Sequence, residues 1–480
     1  MRVLLSIFIT TMFLFGTTKQ EDVTKQAIVK IYTTAKVPSY IVPWSSSMRS
    51  STGSGAIIDG GYILTNAHVI ANQAFIEVQR YGQRKRYIAK VYAVSHQVDL
   101  ALLKVEDESF FKGVKPLTFG SLPFVEQKIV VYGYPMGGNT LSATIGVVSR
   151  VEHHTYAHSG ESFLAVQVDA AVNPGNSGGP ALSEGKIVGV VMQVITKSQN
   201  IGYLVPVSVV KHFIEDMKDG HYDGFADLGL GTQKLENPAI RRYYGLDENT
   251  SGKLINKVLN KYSFENSLQE GDIITSVDEH NIENDGTVEF RKHEYTYYHY
   301  FVDKYQMGES VGIDIIRDKK PMHLKIKLKN RADDIYLVKT TRYDEMPSYF
   351  IYGGYIFSPL TRNLIRSTKK NRLRLSSLAS KWQSDKKNEA VVLLKVLASD
   401  MSRGDNNFGM WSIDKINGES FKNFEAFYQK MKAVKKPYII LEDNDGIKVV
   451  IDKKEALLKQ QSILDKYNIQ FDKSIDLRRE

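Results

Sequence analysis

The chain has 480 residues, 42% of them hydrophobic and 24% charged, with a formal net charge of +9 and no cysteine. That length holds about three domains, each able to bury its own core, in a composition typical of globular proteins. The absence of cysteine excludes disulfides, a thiol nucleophile, cysteine-based metal sites and a lipid anchor on an N-terminal cysteine; it leaves export open, because domains of this size fold without disulfides. The positive charge is concentrated in the C-terminal half, as in Lys369-Lys370-Asn371-Arg372 and Lys386-Lys387. With no aromatic-interleaved RNA motif and no zinc spacing beside it, it reads as a solvated basic surface, and no nucleic-acid partner is expected.

In chain order, Arg2 precedes an apolar stretch over 3–15, followed by Gly16-Thr17-Thr18 and the polar Lys19-Gln20-Glu21-Asp22. A basic start, a short apolar core and small residues predict a secretory signal peptide over 1–18, and hence a periplasmic or secreted protein. The stretch is too short for a comfortable membrane span, so no stable membrane insertion is expected after its removal. An uncleaved anchor and a buried N-terminal strand are the alternatives.

From residue 26 to about 206, short apolar or alternating runs (27–32, 55–58, 128–132, 164–168 and 187–192) are separated by glycine turns. Such a series indicates barrels or a sandwich. Ser208 is then expected to cap a helix with Val210, Phe213, Ile214 and Met217 on its apolar face, ended by Gly220.

Three residues of this region stand in contexts suited to nucleophilic catalysis. Ser177 lies in Gly175-Asn176-Ser177-Gly178-Gly179-Pro180. A serine hydroxyl needs a base to take its proton, and the oxyanion formed on attack needs backbone N–H donors aimed at one point. Gly175 lets the chain turn tightly enough for its own N–H and that of Ser177 to converge, with the Asn176 N–H expected to assist. His68 follows Ile63-Leu64-Thr65-Asn66-Ala67, a strand end running into a short turn. Asp99 opens the apolar run Leu100-Ala101-Leu102-Leu103-Lys104-Val105. An acid at the mouth of a buried strand accepts from imidazole Nδ1–H and leaves Nε2 facing the serine. The order His, Asp, Ser is that of the double β-barrel proteases and not of the subtilisin or α/β-hydrolase arrangements.

The motifs TNAHVI (65–70), VDLALLKV (98–105) and GNSGGP (175–180), with GYPMGG (133–138), GVVSR (146–150) and NIGYLVP (200–206), resemble the HtrA/Deg family of serine proteases. The likeness runs from about residue 54 to 206 and more weakly beyond, and is greatest to the Deg-like branch with two trailing PDZ-type domains. It implies a mostly β chain, α+β overall, in which a chymotrypsin-like double six-stranded β-barrel is followed by two PDZ-like domains. The expected boundaries are a trypsin-like serine protease domain over 22–222, PDZ-like domains over 226–335 and 340–455, and a charged helical tail over 456–480. The resemblance further implies an ATP-independent serine endopeptidase without cofactor or metal, assembled as a trimer or a multiple of trimers. Its catalytic residues would be His68, Asp99 and Ser177, with an oxyanion hole from Gly175, Asn176 and Ser177.

Ala171, six residues before the nucleophile, is not an acid, so cleavage after Lys or Arg is not expected. By resemblance Val172, Val194 and Ile201 line a small apolar slot for Val, Ile, Ala or Leu; read from the residues alone, they are equally barrel core. An apolar slot discriminates weakly, which suits permissive cleavage of unfolded or damaged envelope proteins. The readings left open are a PDZ-bearing chaperone or peptide-binding scaffold with a gated or silent site, and a dedicated processing protease.

In the second module LQEGDIITSVDEHNI (268–282) resembles the PDZ glycine-aspartate turn and central strand. Leu228, Gly229, Leu230 and Gly231 are then the expected loop for capturing peptide C-termini, with a spacer that binds nothing as the alternative. The aromatic stretch 289–305 is expected to pack on a neighbouring domain or subunit. In the third module YFIYGGYIFSPLT (349–361), VVLLKVLA (391–398) and an Asn417-Gly418 turn before a helix suggest an architectural role. His153, His154 and His158 have no cysteine or carboxylate set beside them and read as solvated loop histidines rather than metal ligands. By resemblance, the stretch from there to Phe163 is a regulatory loop that touches the PDZ domains.

Overall fold

The computed structural model describes residues 23–478 except 137, 139, 157, 195–200, 260–267 and 370. The expected signal segment lies outside the described residues. Among those described, no helix is long and apolar enough to cross a membrane.

Twelve strands build two closed antiparallel barrels. The first contains β1 (Ile28–Pro38), β2 (Ser46–Ile58), β3 (Tyr62–Thr65), β4 (Gln73–Arg80), β5 (Tyr87–Ser95) and β6 (Leu100–Val105), closed in the order β1-β2-β3-β6-β5-β4. The second contains β7 (Lys128–Gly133), β8 (Ser142–Thr155), β9 (Ser162–Val168), β10 (Pro180–Ser183), β11 (Lys186–Val194) and β12 (Gly202–Pro206), closed in the order β10-β11-β12-β9-β8-β7. Closure requires side chains to alternate inward and outward. β5 does this, burying Tyr87, Ala89 and Ala93 while Ile88 and Tyr92 face out. β6 buries Leu100 to Leu103 in succession, and these residues share a core cluster with Val210 and Phe213 of the helix that follows β12.

The β1–β2 hairpin extends well beyond the apolar runs, in register from Ile28↔Ala56 to Pro38↔Ser46. Its outer half is polar and exposed, with Ser46 to Ser51 open to solvent, so hydrophobic periodicity gives no sign of it. The helix expected at Ser208 spans Val207–Asp216 and starts at Pro206 instead. Strand β12 ends on Pro206, whose fixed φ sets the extended entry, and the Ser208 hydroxyl is left buried and unpartnered. Gly220, at φ +85°, closes the turn that follows.

The second module is one sheet in the order β13 (Leu230–Lys234), β14 (Lys253–Val258), β15 (Ile273–Val277), β19 (Ser310–Arg317), β20 (Lys320–Lys327), with β16 (His280–Asn281) paired to β15. The aromatic stretch forms the hairpin β17 (Thr287–Arg291) and β18 (Glu294–Tyr297) and the one-turn helix His299–Val302. Its Phe290 and Tyr300 pack on the core of the second barrel, and Arg291 Nη1 donates to the Pro123 carbonyl at 2.9 Å. The neighbour it was expected to meet is thus the protease domain of its own chain.

The third module holds two four-stranded sheets and the helix Phe424–Ala433. The segment expected as a charged tail is helical over Lys453–Lys466, but Ile463, Leu464, Ile469 and Leu477 enter the module's core clusters. A few apolar residues at helical spacing bury one face of it despite its charge. The tip of the β1–β2 hairpin joins the same core through Tyr40, Ile41 and Trp44.

Candidate active site

β3 and β6 are paired neighbours, with Thr65 opposite Ala101. The residues just past the end of one and just before the start of the other therefore meet. His68 sits on the short helix Ala67–Ile70, and Asp99 precedes β6 with φ +61°, a left-handed conformation uncommon outside glycine. That conformation is held by Asn66, whose Nδ2 donates to the Asp99 carbonyl at 2.8 Å. Asp99 is 1% exposed; its Oδ1 accepts from the His68 backbone N–H at 2.9 Å and its Oδ2 lies 2.8 Å from His68 Nδ1. The carboxylate thus fixes both the ring and its tautomer, leaving Nε2 as the basic nitrogen. Burial disfavours the charged imidazole, but the Asp99 charge and hydrogen bond outweigh it and raise the His68 pKa above the usual 6.5.

Ser177 reaches the same place from the second barrel. Its carbonyl accepts from the Ser54 N–H of β2 at 2.9 Å, across the seam between the barrels. The adjoining glycines are dictated by contact: a Cβ on Gly178 (φ +83°) would sit 2.2 Å from Ser54 O and from Thr65 Oγ1, and one on Gly179 2.1 Å from Tyr132 O. Gly175 has φ +99°. The Pro174 carbonyl accepts from the Met136 N–H at 2.7 Å, and across this trans peptide the Gly175 N–H points the opposite way. The Gly175 carbonyl accepts from Ser54 Oγ at 2.7 Å, which itself accepts from the Tyr134 N–H at 2.8 Å. The N–H groups of Gly175 and Ser177 have no partner among the described residues. Asn176, by contrast, does not add a donor as expected: its N–H closes a turn onto the Asn173 carbonyl at 3.0 Å.

Val172 is 6% exposed within the second barrel's core, and a Cβ on Gly202 would lie 2.9 Å from its Cγ2. Ile201 is partly buried against the larger cluster. Val194 pairs with Gly202 in the β11–β12 register, and its side chain lies outside the described residues. In the second module β13 is an edge strand among the described residues. Leu228 is buried, and the Gly229 N–H already donates to Asp227 Oδ1 at 2.7 Å. Leu230 and Gly231 pair with Val258 and Lys257, and a Cβ on Gly231 would meet Trp382 of the third module at 3.6 Å.

Two further residues lie beside His68: Tyr156, which nothing in the sequence marks, and His158, which is not the solvated loop histidine expected. The Tyr156 hydroxyl, 1% exposed, lies 3.3 Å from His68 Nδ1. Burial first, then the Asp99 charge and a hydrogen bond to it, push this phenol far above its usual pKa, so it stays a donor. The His158 ring stacks on both His68 and Tyr156, each at 5.2 Å between centroids. The His158 carbonyl accepts from Arg366 Nη1 at 2.7 Å and from the Tyr343 hydroxyl at 3.3 Å. His153 and His154 are also not solvated loop residues, since both lie on β8. His153 Nδ1 is 3.1 Å from Thr296 Oγ1 and its Nε2 3.3 Å from Asp303, while His154 stacks on Tyr203 at 4.1 Å. A polar run of histidines reads as loop until the hairpin of the second module is seen covering it.

Two six-stranded barrels, with a buried Asp–His pair on one side of their seam and a glycine-flanked serine on the other, define the chymotrypsin-like fold. A trypsin-like peptidase domain model matches residues 53–190 and a PDZ domain model residues 338–476. The chain is 37% identical over 411 residues to Protease Do-like 4, mitochondrial, of Arabidopsis thaliana, covering 85% of this chain and 77% of that one. It is 36% identical to Protease Do-like 2, chloroplastic, of the same plant, covering 94% and 75%. Among solved structures, the HtrA-type protease AlgW with tripeptide shares the fold, with a TM-score of 0.52 and 23% identity over 65% of this chain and 97% of that one. The chain belongs to the HtrA/Do-like family and is a serine endopeptidase.

Proposed function

We propose that Ser177 attacks the scissile carbonyl while His68 takes its proton and later returns it to the leaving amine. Asp99 holds the imidazole, and the Gly175 and Ser177 N–H groups receive the oxyanion. The observation that carries this reading is the buried Asp99 on His68 Nδ1, set across the seam from a turn whose two N–H groups are unpaired among the described residues. The substrates are unfolded or damaged proteins, cleaved after Val, Ile, Ala or Leu; the apolar Val172–Gly202 contact supports such a slot. The protein is exported on its N-terminal signal segment and works as a homo-oligomer, with peptide C-termini as ligands of its PDZ-like modules.

The test is digestion of an unfolded protein such as casein by the mature chain, beside Ser177→Ala, with fragment ends read by mass spectrometry. Cleavage after small aliphatic residues, lost in the variant, is expected. Cleavage that persists in the variant would overturn the assignment of Ser177. N-terminal sequencing of the mature protein checks the signal segment.

One observation favours a gated resting state over an always-open site. His158 lies stacked on His68 and is held there by Arg366 and Tyr343, while no hydrogen bond joins His68 to Ser177 among the described residues. In this reading the oxyanion turn is assembled at rest and the face of the base is covered.

A further inference from the structure

Beside the nucleophile turn, on the wall of the first barrel, lies a groove of about 840 Å³. It is lined by Lys30, Arg80, Arg84 and Arg86 together with Tyr32 and Tyr134, and among the described residues no carboxylate lines it. It shares a wall with the catalytic turn, because the Tyr134 carbonyl comes within 2.5 Å of where a Cβ on Gly175 would stand.

Three of the four cations, Lys30, Arg80 and Arg86, are held in place by ring and hydrogen-bond contacts. The Arg86 guanidinium lies 3.7 Å over the Tyr32 ring, whose hydroxyl donates to Gln79 Oε1 at 2.8 Å. Lys30 is 5% exposed, with its Nζ 5.2 Å above the same ring and donating to the Gly138 carbonyl at 3.3 Å. Arg80 Nη1 donates to the Lys112 carbonyl at 3.1 Å. Arg86 also meets Glu77 at 3.2 Å, an exposed pair of the kind that contributes little. Arg84, exposed on the rim, has no hydrogen bond or ion pair among the described residues.

Four positive charges around a concave, acid-free surface focus a field that a negatively charged ligand completes. Arginine laid on an aromatic face is pre-organised to take a carboxylate with both nitrogens. Single-stranded nucleic acid fits less well, since it relies on a series of free aromatic faces for successive bases, and with Tyr32 under Arg86 and Lys30 the exposed ring of Tyr81 is left to serve. We propose that this groove binds aspartate and glutamate side chains of the substrate chain flanking the scissile bond, so that acidic segments are cleaved preferentially. The proposal rests on Ser177 being the nucleophile.

The experiment uses full-length mature protein and matched peptides with one aliphatic cleavage site. Three acidic or three neutral residues are placed either before or after the bond. The ratio of kcat/KM for acidic over neutral peptides is expected at about three- to tenfold for one placement, from several weak charge pairs acting together. That ratio should fall towards one in Arg80→Gln/Arg84→Gln and at about 0.5 M salt, where screening is nearly complete. A ratio of one for both placements in the wild type would overturn the proposal, as would a preference that survives the double variant. Oligonucleotide binding that depends on the same arginines, without any peptide preference, would also overturn it. Loss of all cleavage in Ser177→Ala, with normal cleavage by the wild type, separates failure of this proposal from failure of the reading beneath it.

Discussion

Asp99 makes its contacts from a backbone conformation that few residues other than glycine adopt, and they are directed at His68, at the residue two before it and at the Tyr156 hydroxyl. Because the folded site raises the His68 pKa and only the neutral imidazole can act as base, activity should rise with pH through a midpoint above about 6.5. In Asp99→Asn the midpoint should move down, and kcat should fall by about 10⁴ as the tautomer is lost. A pH profile of kcat/KM for the two proteins reads both effects. At this scale the sequence was most informative. His68, Asp99 and Ser177 carry their neighbours' chemistry on their sleeves, as a strand end, an acid before an apolar run and a glycine turn. Ser54 and Tyr156 carried no such sign. Ser54 acts on Gly175 from the other barrel, and Tyr156 is one tyrosine among 27 until the fold lays it against His68.

At the scale of elements, the stretch after β8 decides how the base is presented. It runs from Tyr156 and His158 at the imidazole to Glu161, which faces Arg362 of the third module and Asp227 and Asp333. Burial pushes the Glu161 carboxyl up to about 7, partly offset by Arg362. The folded protein therefore keeps this proton at pH values where the unfolded chain, with a carboxyl near 4.5, has lost it. Stability must fall as pH rises through that window, because there the folded state binds more protons. Thermal melts at about pH 5 and pH 8 should show a drop in Tm that is smaller in Glu161→Gln. An equal drop in both proteins would assign the effect to other groups. The stretch was legible as a candidate regulatory loop through resemblance alone, since no spacing in it names Arg366 or Tyr343 as its partners.

At the scale of the whole molecule, the β1–β2 hairpin joins the first barrel to the third module. Trp44 at its tip meets Tyr349 edge-on at 5.7 Å, with Lys395 Nζ 5.4 Å from its ring. Removing this half-buried ring in Trp44→Ala should cost about 2 kcal/mol, below the roughly 3–5 kcal/mol of a fully buried Trp→Ala change. Hydrogen exchange should quicken in the strand Phe350–Tyr352 while the first barrel keeps its protection. Unchanged exchange there would mean that the hairpin tip bears no load.

What the sequence determined by itself is local. Alternating runs with glycine turns specify strands, a continuous apolar run specifies β6, and the motifs around three residues carry the proposal of an activated serine. These signals survive in one dimension because the chemistry needs particular residues next to each other along the chain. The tertiary structure alone decided which N–H groups stay unpaired, what lies over His68, which module grips the stretch after β8, and that the supposed tail belongs to a core. It also brought Lys30 beside Arg80, Arg84 and Arg86, three cations already close along the chain, to line one groove. Those outcomes depend on residues tens to hundreds of positions apart, brought together by barrel closure and module packing, and pairwise contact at such separation leaves no periodicity to read.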